Sequence, residues 1–280
     1  VARVLIAGES WITQSTHIKG VDSFTTNSYV EGVGPLRTAL TARGHEVTHL
    51  PAHLVPSQFP GDVAALEAYD VVVLSDIGAN SVQLAPSVFE GARPGIDRLA
   101  AVRDWVAAGG GLLMVGGYLS FTGFEAKAAY RNTVLHEVLP VELLAEDDRV
   151  ELPAGARARV THAHPALGEP GAAGAGGNGD AGGNGDAGGN GDAGGNGDAV
   201  GAVGAEWPPL LGYNRVRPRE SAEVLVTIGD DPLVAVGGYG SGRSAVFTSD
   251  CSPHWAPAEF CEQWAGYGTV FGGLVDWLAG

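Results

Sequence analysis

The chain has 280 residues, 45% of them hydrophobic and 17% charged, and a formal net charge of −16. That length and apolar content allow a sizeable core and exclude global disorder, and the acidity argues against nucleic acid as a partner, since no basic stripe is present to neutralise phosphates. No apolar run approaches the ~18 residues of a membrane span, so no membrane partner is expected, and the two cysteines, Cys251 and Cys261, are too few for a disulfide framework and form no CxxC metal knuckle.

The N-terminal VARVLIAG reads as a strand rather than a signal peptide, and the expected location is cytoplasmic. Val4–Ala7 is a short buried strand closed by Gly8. Residues 35–43 have proline at the start and Gly44 behind them, the pattern of a helix. A second strand is expected over His45–Leu50, a short helix over Asp62–Tyr69, and a fully buried strand over Asp70–Leu74. Residues 94–108 are amphipathic at helical spacing, stop at three glycines, and lead into a strand over 112–116. This β-α-β-α-β order predicts a mostly parallel sheet between two helical layers.

After residue 140 the rhythm changes. Strands are expected at 141–144, 157–161, 222–228, 232–238 and 243–249, with turn signals at Asp230–Pro232 and Tyr239–Gly242 and a closing helix over 264–279. The stretch 222–249 reads as an antiparallel meander whose last strand rejoins the main sheet. Inside one domain spanning 1–280 lies a glycine-rich insert, 171–205, containing AGGNGD four times from Ala175 to Asp198. It has no apolar residue large enough to build a core, and its six-residue period lacks the large apolar position of calcium-binding β-helix repeats, so a flexible surface loop is expected.

In open parallel sheets ligands bind beyond the C-terminal strand ends. Here four such ends carry acid–base and aromatic residues. The first holds Glu9, Ser10 and Trp11 and leads to His17, Lys19 and Asp22. The second holds Asp76 and Asn80. The third holds Gly117, Tyr118 and Ser120. The last holds Asp250, Cys251, His254 and Trp255.

These ends and their neighbours carry a family resemblance. GESW at 8–11, HIKGVDSF at 17–24, VGGYLSFTG at 115–123, EVLPVELL at 137–144, WPPLLGYNRV at 207–216 and FTSDCSPHW at 247–255 resemble the class I glutamine amidotransferase-like superfamily, in the glutamine amidotransferase-like group related to ThuA-like proteins. The resemblance implies a three-layer, flavodoxin-like α/β fold with a mostly parallel sheet and an added antiparallel meander. Working amidotransferases of this type carry Cys at the turn after the fourth strand and a downstream His-x-Glu. Carried over, the Cys position falls on Tyr118, and no Glu stands two residues after His254. A phenol with a pKa near ~10 is a poor acyl acceptor beside a thiolate, so glutaminase activity is not expected.

The candidate catalytic residues are therefore Tyr118, Ser120, His254, Asp250 and Glu9. Ser10, Trp11, His17, Lys19, Asp22, Asp76, Asn80, Gly117 and Trp255 are the candidate ligand contacts. Glu9 and Asp250 are expected close enough for one to raise the other's pKa. His17, Asp22, Asp250 and His254 are ligand types that suit zinc or iron, and His162 and His164 form an HxH pair, but none has metalloenzyme spacing, so neither metal nor cofactor is expected. The expected partner is a small molecule, sugar-related by analogy with ThuA-like proteins. Self-association is left open, as is the alternative of a non-catalytic binding or assembly module.

Overall fold

A computed structural model describes residues 1–168, 203–204 and 206–280. The AGGNGD repeats over 175–198 lie outside these residues. Fourteen strands are described: β1 (Arg3–Gly8), β2 (Ser10–Lys19), β3 (Asp22–Glu31), β4 (Glu46–Leu50), β5 (Val71–Ser75), β6 (Gly111–Val115), β7 (Val141–Leu143), β8 (Arg149–Ala156), β9 (Ala158–Val160), β10 (Leu210–Asn214), β11 (Val216–Pro218), β12 (Glu223–Ile228), β13 (Asp231–Tyr239) and β14 (Gly242–Phe247).

Eight of them form the main sheet in the order β4-β1-β5-β6-β14-β13-β12-β9. Pairing is parallel from β4 through to β14 and antiparallel from β14 to β9. The last strand of the meander thus rejoins the parallel half beside β6, with Phe247 opposite Val115.

The central strands are continuous apolar runs because both faces are covered. Alternate residues feed two cores. Val4, Ile6, Val71, Val73, Leu113 and Phe247 face the helices Gly34–Ala42 and Gly266–Ala279, whose Leu36, Leu40, Val270 and Phe271 belong to the same buried cluster. Leu5, Ala7, Val72, Leu74 and Met114 face the opposite layer, where Leu99, Val102 and Trp105 of the helix Arg98–Ala107 are buried. That helix starts later than the amphipathic pattern suggests. The Asp97 side chain caps it by accepting from Ala100 N at 3.0 Å, which satisfies one of the otherwise orphaned first-turn donors. The final helix begins at Gly266 because Trp264 is extended, after a short π-helical turn over Glu259–Gln263.

Two further departures from the sequence expectations concern whole elements. Residues 10–31 are a long antiparallel hairpin, β2–β3, rather than a loop lying over the sheet edge. The stretch after 140 also contains two small two-stranded sheets, β8 with β10 and β7 with β11. No helix among the described residues is long and apolar enough to cross a membrane.

Candidate functional site

Strand order alone brings four chain segments together. β1, β5, β6 and β14 are consecutive in the sheet, each about 4.8 Å from the next. Gly8 is level with Ser75, Ser75 with Val115, and Val115 with Phe247. The residues that follow therefore emerge along one edge. The approach is close: a Cβ on Gly8 would lie 2.0 Å from Ser75 O, and one on Gly116 would lie 2.2 Å from Thr248 O.

Two acids occupy equivalent places there. Glu9 directly follows β1 and Asp76 directly follows β5, and both adopt the left-handed backbone region, with φ of 49° and 42°. Such conformations cost non-glycine residues on the order of 1–3 kcal/mol. Hydrogen bonds hold them: Glu9 N donates to Ser75 O at 2.9 Å, Glu9 O accepts from Gly32 N at 2.9 Å, and Asp76 N donates to Ser120 Oγ at 3.2 Å.

The Glu9 carboxyl is buried. It accepts from Ser75 Oγ and Ser252 Oγ, both at 2.5 Å, and from Cys251 Sγ at 3.5 Å. Burial and then the charge of Asp250 push its pKa up to about 7. Asp76 accepts from Leu119 N at 2.7 Å; burial and then the charge of Glu9 push it up to about 6. Asp250 is buried as well. Its Oδ1 accepts from Ser252 N at 3.1 Å, whereas its Oδ2 has no hydrogen-bond partner among the described residues and lies 3.5 Å from His254 Nδ1, an ion-pair distance. Burial, with Asp76 adding to it, raises Asp250. The contact with Asp250 raises half-exposed His254 above the usual imidazole value. The carboxyls oppose one another's ionisation, so protons are shared across the group.

Glu9, Asp250 and Cys251 also bring potential ligand atoms within 4.8 Å of one another. Both Glu9 oxygens are already engaged by serine hydroxyls, and burial pushes the Cys251 thiol well above its ordinary value. As it stands, the trio is knit together by hydrogen bonds to Glu9. The same thiol is poorly suited to act as a nucleophile.

Above this cluster lies a cavity of about 350 Å³, lined by Asp76, Tyr118, Glu151, Pro153, Leu211, His254 and Trp255. Its aromatic corner is pinned by one carboxylate. Glu151 accepts from the Tyr118 hydroxyl at 3.0 Å and from Trp255 Nε1 at 3.1 Å, and the two rings sit 5.5 Å apart. The Arg149 guanidinium lies 4.9 Å from the Tyr118 ring centre. Partial burial and the bond to Glu151 raise the Tyr118 phenol above its ordinary pKa, so it is further from a phenolate than a solvated tyrosine.

Asp76, Tyr118, His254 and Trp255 thus line the cavity, with Glu9 and Asp250 buried near His254. Trp11 packs against His254 with ring centres 4.7 Å apart. Gly117 shapes the turn: its φ is 147°, and a Cβ there would meet the Asp76 carboxylate at 2.7 Å. The remaining candidates do not line the cavity. Buried Ser120 donates to Val115 O at 2.5 Å, so its hydroxyl serves the turn. Ser10 accepts from Ala52 N at 2.8 Å, anchoring the root of the hairpin. His17, Lys19 and Asp22 are carried out along the exposed hairpin, where His17 stacks on Phe24. Asn80 lines a separate surface depression with Pro56 and Phe89.

Sequence reasoning missed Glu151 and Asn214. Buried Asn214 accepts from Gly117 N at 3.0 Å and donates to Asp148 Oδ1 at 2.8 Å.

A mostly parallel sheet between two helical layers, with an antiparallel meander at one side, defines a three-layer α/β protein of flavodoxin-like type. The family model described as "Putative glutamine amidotransferase" matches residues 3–172 and 195–280, and the chain belongs to this glutamine amidotransferase-like family. Two solved structures are similar over nearly their whole length. The Cytoplasmic Protein STM1381 from Salmonella typhimurium LT2 is 41% identical, covering 99% of each chain with a TM-score of 0.83. The Cytoplasmic Protein STM3548 from Salmonella typhimurium is 39% identical, covering 99% of this chain and 98% of that one with a TM-score of 0.82. A ThuA-like protein from Bacteroides uniformis overlays more distantly, at 12% identity and a TM-score of 0.45 over 96% of this chain and 89% of that one. No curated protein matches the chain.

Proposed function

We propose that this protein binds a small, uncharged polar metabolite of about monosaccharide size over His254 and transforms it by proton transfer, without the glutaminase half-reaction of working amidotransferases. The observation that carries this reading is the contact of half-exposed His254 with buried Asp250, at the floor of a cavity also lined by Asp76, whose carboxyl is raised to about 6. A base and an acid with pKa values drawn towards neutrality are what general acid–base chemistry requires.

The walls favour the ligand class. The Tyr118–Trp255 corner offers flat apolar faces, which suit the C–H face of a sugar ring, while Asp76 and Glu151 accept hydrogen bonds from hydroxyls. An anionic ligand would meet two carboxylates. A rival reading, a binding module without turnover, draws on Tyr118 at the position of the nucleophile and on the buried, protonated Cys251.

A thermal-shift panel of neutral monosaccharides and polyols beside their phosphorylated and carboxylated counterparts tests the proposal. A ligand at ~100 times its Kd stabilises the folded state by about 2.7 kcal/mol. The expected result is a rise in Tm with a neutral sugar that disappears in Trp255→Ala. Stabilisation by anionic compounds alone would contradict the ligand class. Incubating the hit in D₂O then separates enzyme from binder: deuterium incorporation or a new product supports proton transfer, and unchanged ligand supports the module.

A further inference from the structure

A second hollow, of about 390 Å³, is lined by Arg131, His136, Glu142, Leu143 and Arg219. A third, of about 240 Å³, shares Arg131, Glu142 and Leu143 with it and adds Arg217 and Glu146. The two form one groove, and it shares no lining residue with the cavity over His254. Three of the chain's sixteen Lys and Arg residues therefore meet in one place on a protein of net charge −16. The fold brings them from separate segments. Arg131 lies on the short helical turn Tyr130–Asn132, Arg217 on β11, and Arg219 directly after that strand. β11 pairs with β7, which sets Arg217 opposite Glu142.

The partners of these arginines are unusual for the chain. Arg3, Arg43, Arg103, Arg149 and Arg215 each pair with a carboxylate. Arg219 is held by backbone carbonyls instead: its Nε donates to Leu139 O at 3.0 Å and its Nη2 to His136 O at 2.8 Å. Arg131 Nε donates to Leu143 O at 3.1 Å. Among the described residues no carboxylate lies within ion-pair distance of Arg131, Arg217 or Arg219, although Glu142 stands opposite Arg217 on the neighbouring strand. A carbonyl fixes a guanidinium without neutralising it. The charge persists, and most of the five N–H donors stay free for a forked contact. Two of the three guanidiniums are thus oriented before any ligand arrives, which lowers the cost of binding one.

We infer that the Arg131–Arg217–Arg219 groove binds the phosphate group of a small, polyhydroxylated phosphate monoester. Three guanidiniums suit a tetrahedral dianion, which offers three terminal oxygens where a carboxylate offers two. Glu142 and Glu146 in the same lining can accept from the hydroxyls of such a molecule. These two acids also leave the groove only weakly positive. Together with the overall charge they repel an extended polyanion such as nucleic acid or an acidic protein surface, so a compact anion held at short range is the occupant favoured. The inference is independent of the reading of the His254 cavity, whose carboxylates favour an uncharged ligand.

Isothermal titration calorimetry on the full chain at ~50 mM salt tests it, with glycerol 3-phosphate, glycerate and glycerol as probes that differ in the charged group. Glycerol 3-phosphate is expected to bind saturably at one site, glycerate more weakly, and glycerol not at all. Arg217→Ala, which removes a side chain that makes no hydrogen bond among the described residues, is expected to weaken glycerol 3-phosphate at least ~tenfold, and Arg131→Ala likewise. Arg37→Ala deletes an exposed arginine from the helix Gly34–Ala42 and is expected to leave the affinity unchanged, as is His254→Ala. Absence of saturable binding up to ~10 mM overturns the proposal. So does an equal loss in Arg37→Ala, which would make the effect one of net charge. Binding lost in His254→Ala but kept in Arg217→Ala would place the anion in the other cavity, and tighter binding of glycerate would contradict the phosphate assignment.

Discussion

Asn214 holds Gly117 in place: its side-chain oxygen accepts the Gly117 amide proton at 3.0 Å, while its amide group donates to Asp148 at 2.8 Å. Asp148 in turn accepts from Thr122 N and Gly123 N. One buried amide therefore ties the turn that presents Tyr118 to the loop that follows it. Asn214→Ala leaves a buried N–H unpaired and strips Asp148 of a donor, and a loss of about 2–3 kcal/mol is expected in urea unfolding. A change below about 0.5 kcal/mol would show that water or a local shift replaces the amide.

How legible the site was depended on the kind of strand that carries each residue. β1, β5 and β6 announce themselves as apolar runs and β14 as the strand after a Tyr239–Gly242 turn signal, so Glu9, Asp76, Tyr118 and Asp250 could be placed at one edge from topology. Glu151 and Asn214 sit on β8 and β10, a partly exposed pair with a register shift near Leu210. Such short pairings depend on partners distant in sequence and leave little local pattern. The hairpin failed for a related reason. Its strands are rich in Ser and Thr with few apolar residues, which resembles a loop, so His17, Lys19 and Asp22 were expected near the site from which the ribbon carries them away.

Glu9 makes stability depend on pH. Its folded pKa, about 7, lies above the ordinary carboxylate value of about 4.5. The native state therefore keeps a proton that the unfolded chain has released between those values. The stabilisation is present in full below about pH 4.5 and is lost as pH rises through about 7. Glu9→Gln retains the neutral form at every pH. It is expected to flatten that part of the stability profile and to exceed the wild type at pH ~8 by up to about 3 kcal/mol. Parallel pH profiles for wild type and variant from pH ~5 to ~8 would rule out this role for Glu9.

Tyr118 stands where the resemblance places the nucleophilic thiol, and burial holds the Cys251 thiol protonated. The purified protein is expected to release no ammonia from glutamine above the buffer blank. Steady hydrolysis that persists in Cys251→Ala and Cys261→Ala but vanishes in Tyr118→Phe would instead make the phenol a nucleophile.

The central claim is that His254 and the buried carboxyls act as one proton-exchanging unit open to the cavity. The most direct measurement is an NMR titration of the His254 imidazole in wild type and Asp250→Asn. A wild-type pKa above the ordinary 6.5 is expected, with a clear fall once the Asp250 charge is removed. A wild-type value at or below 6.5, or one that Asp250→Asn leaves unchanged, would contradict it.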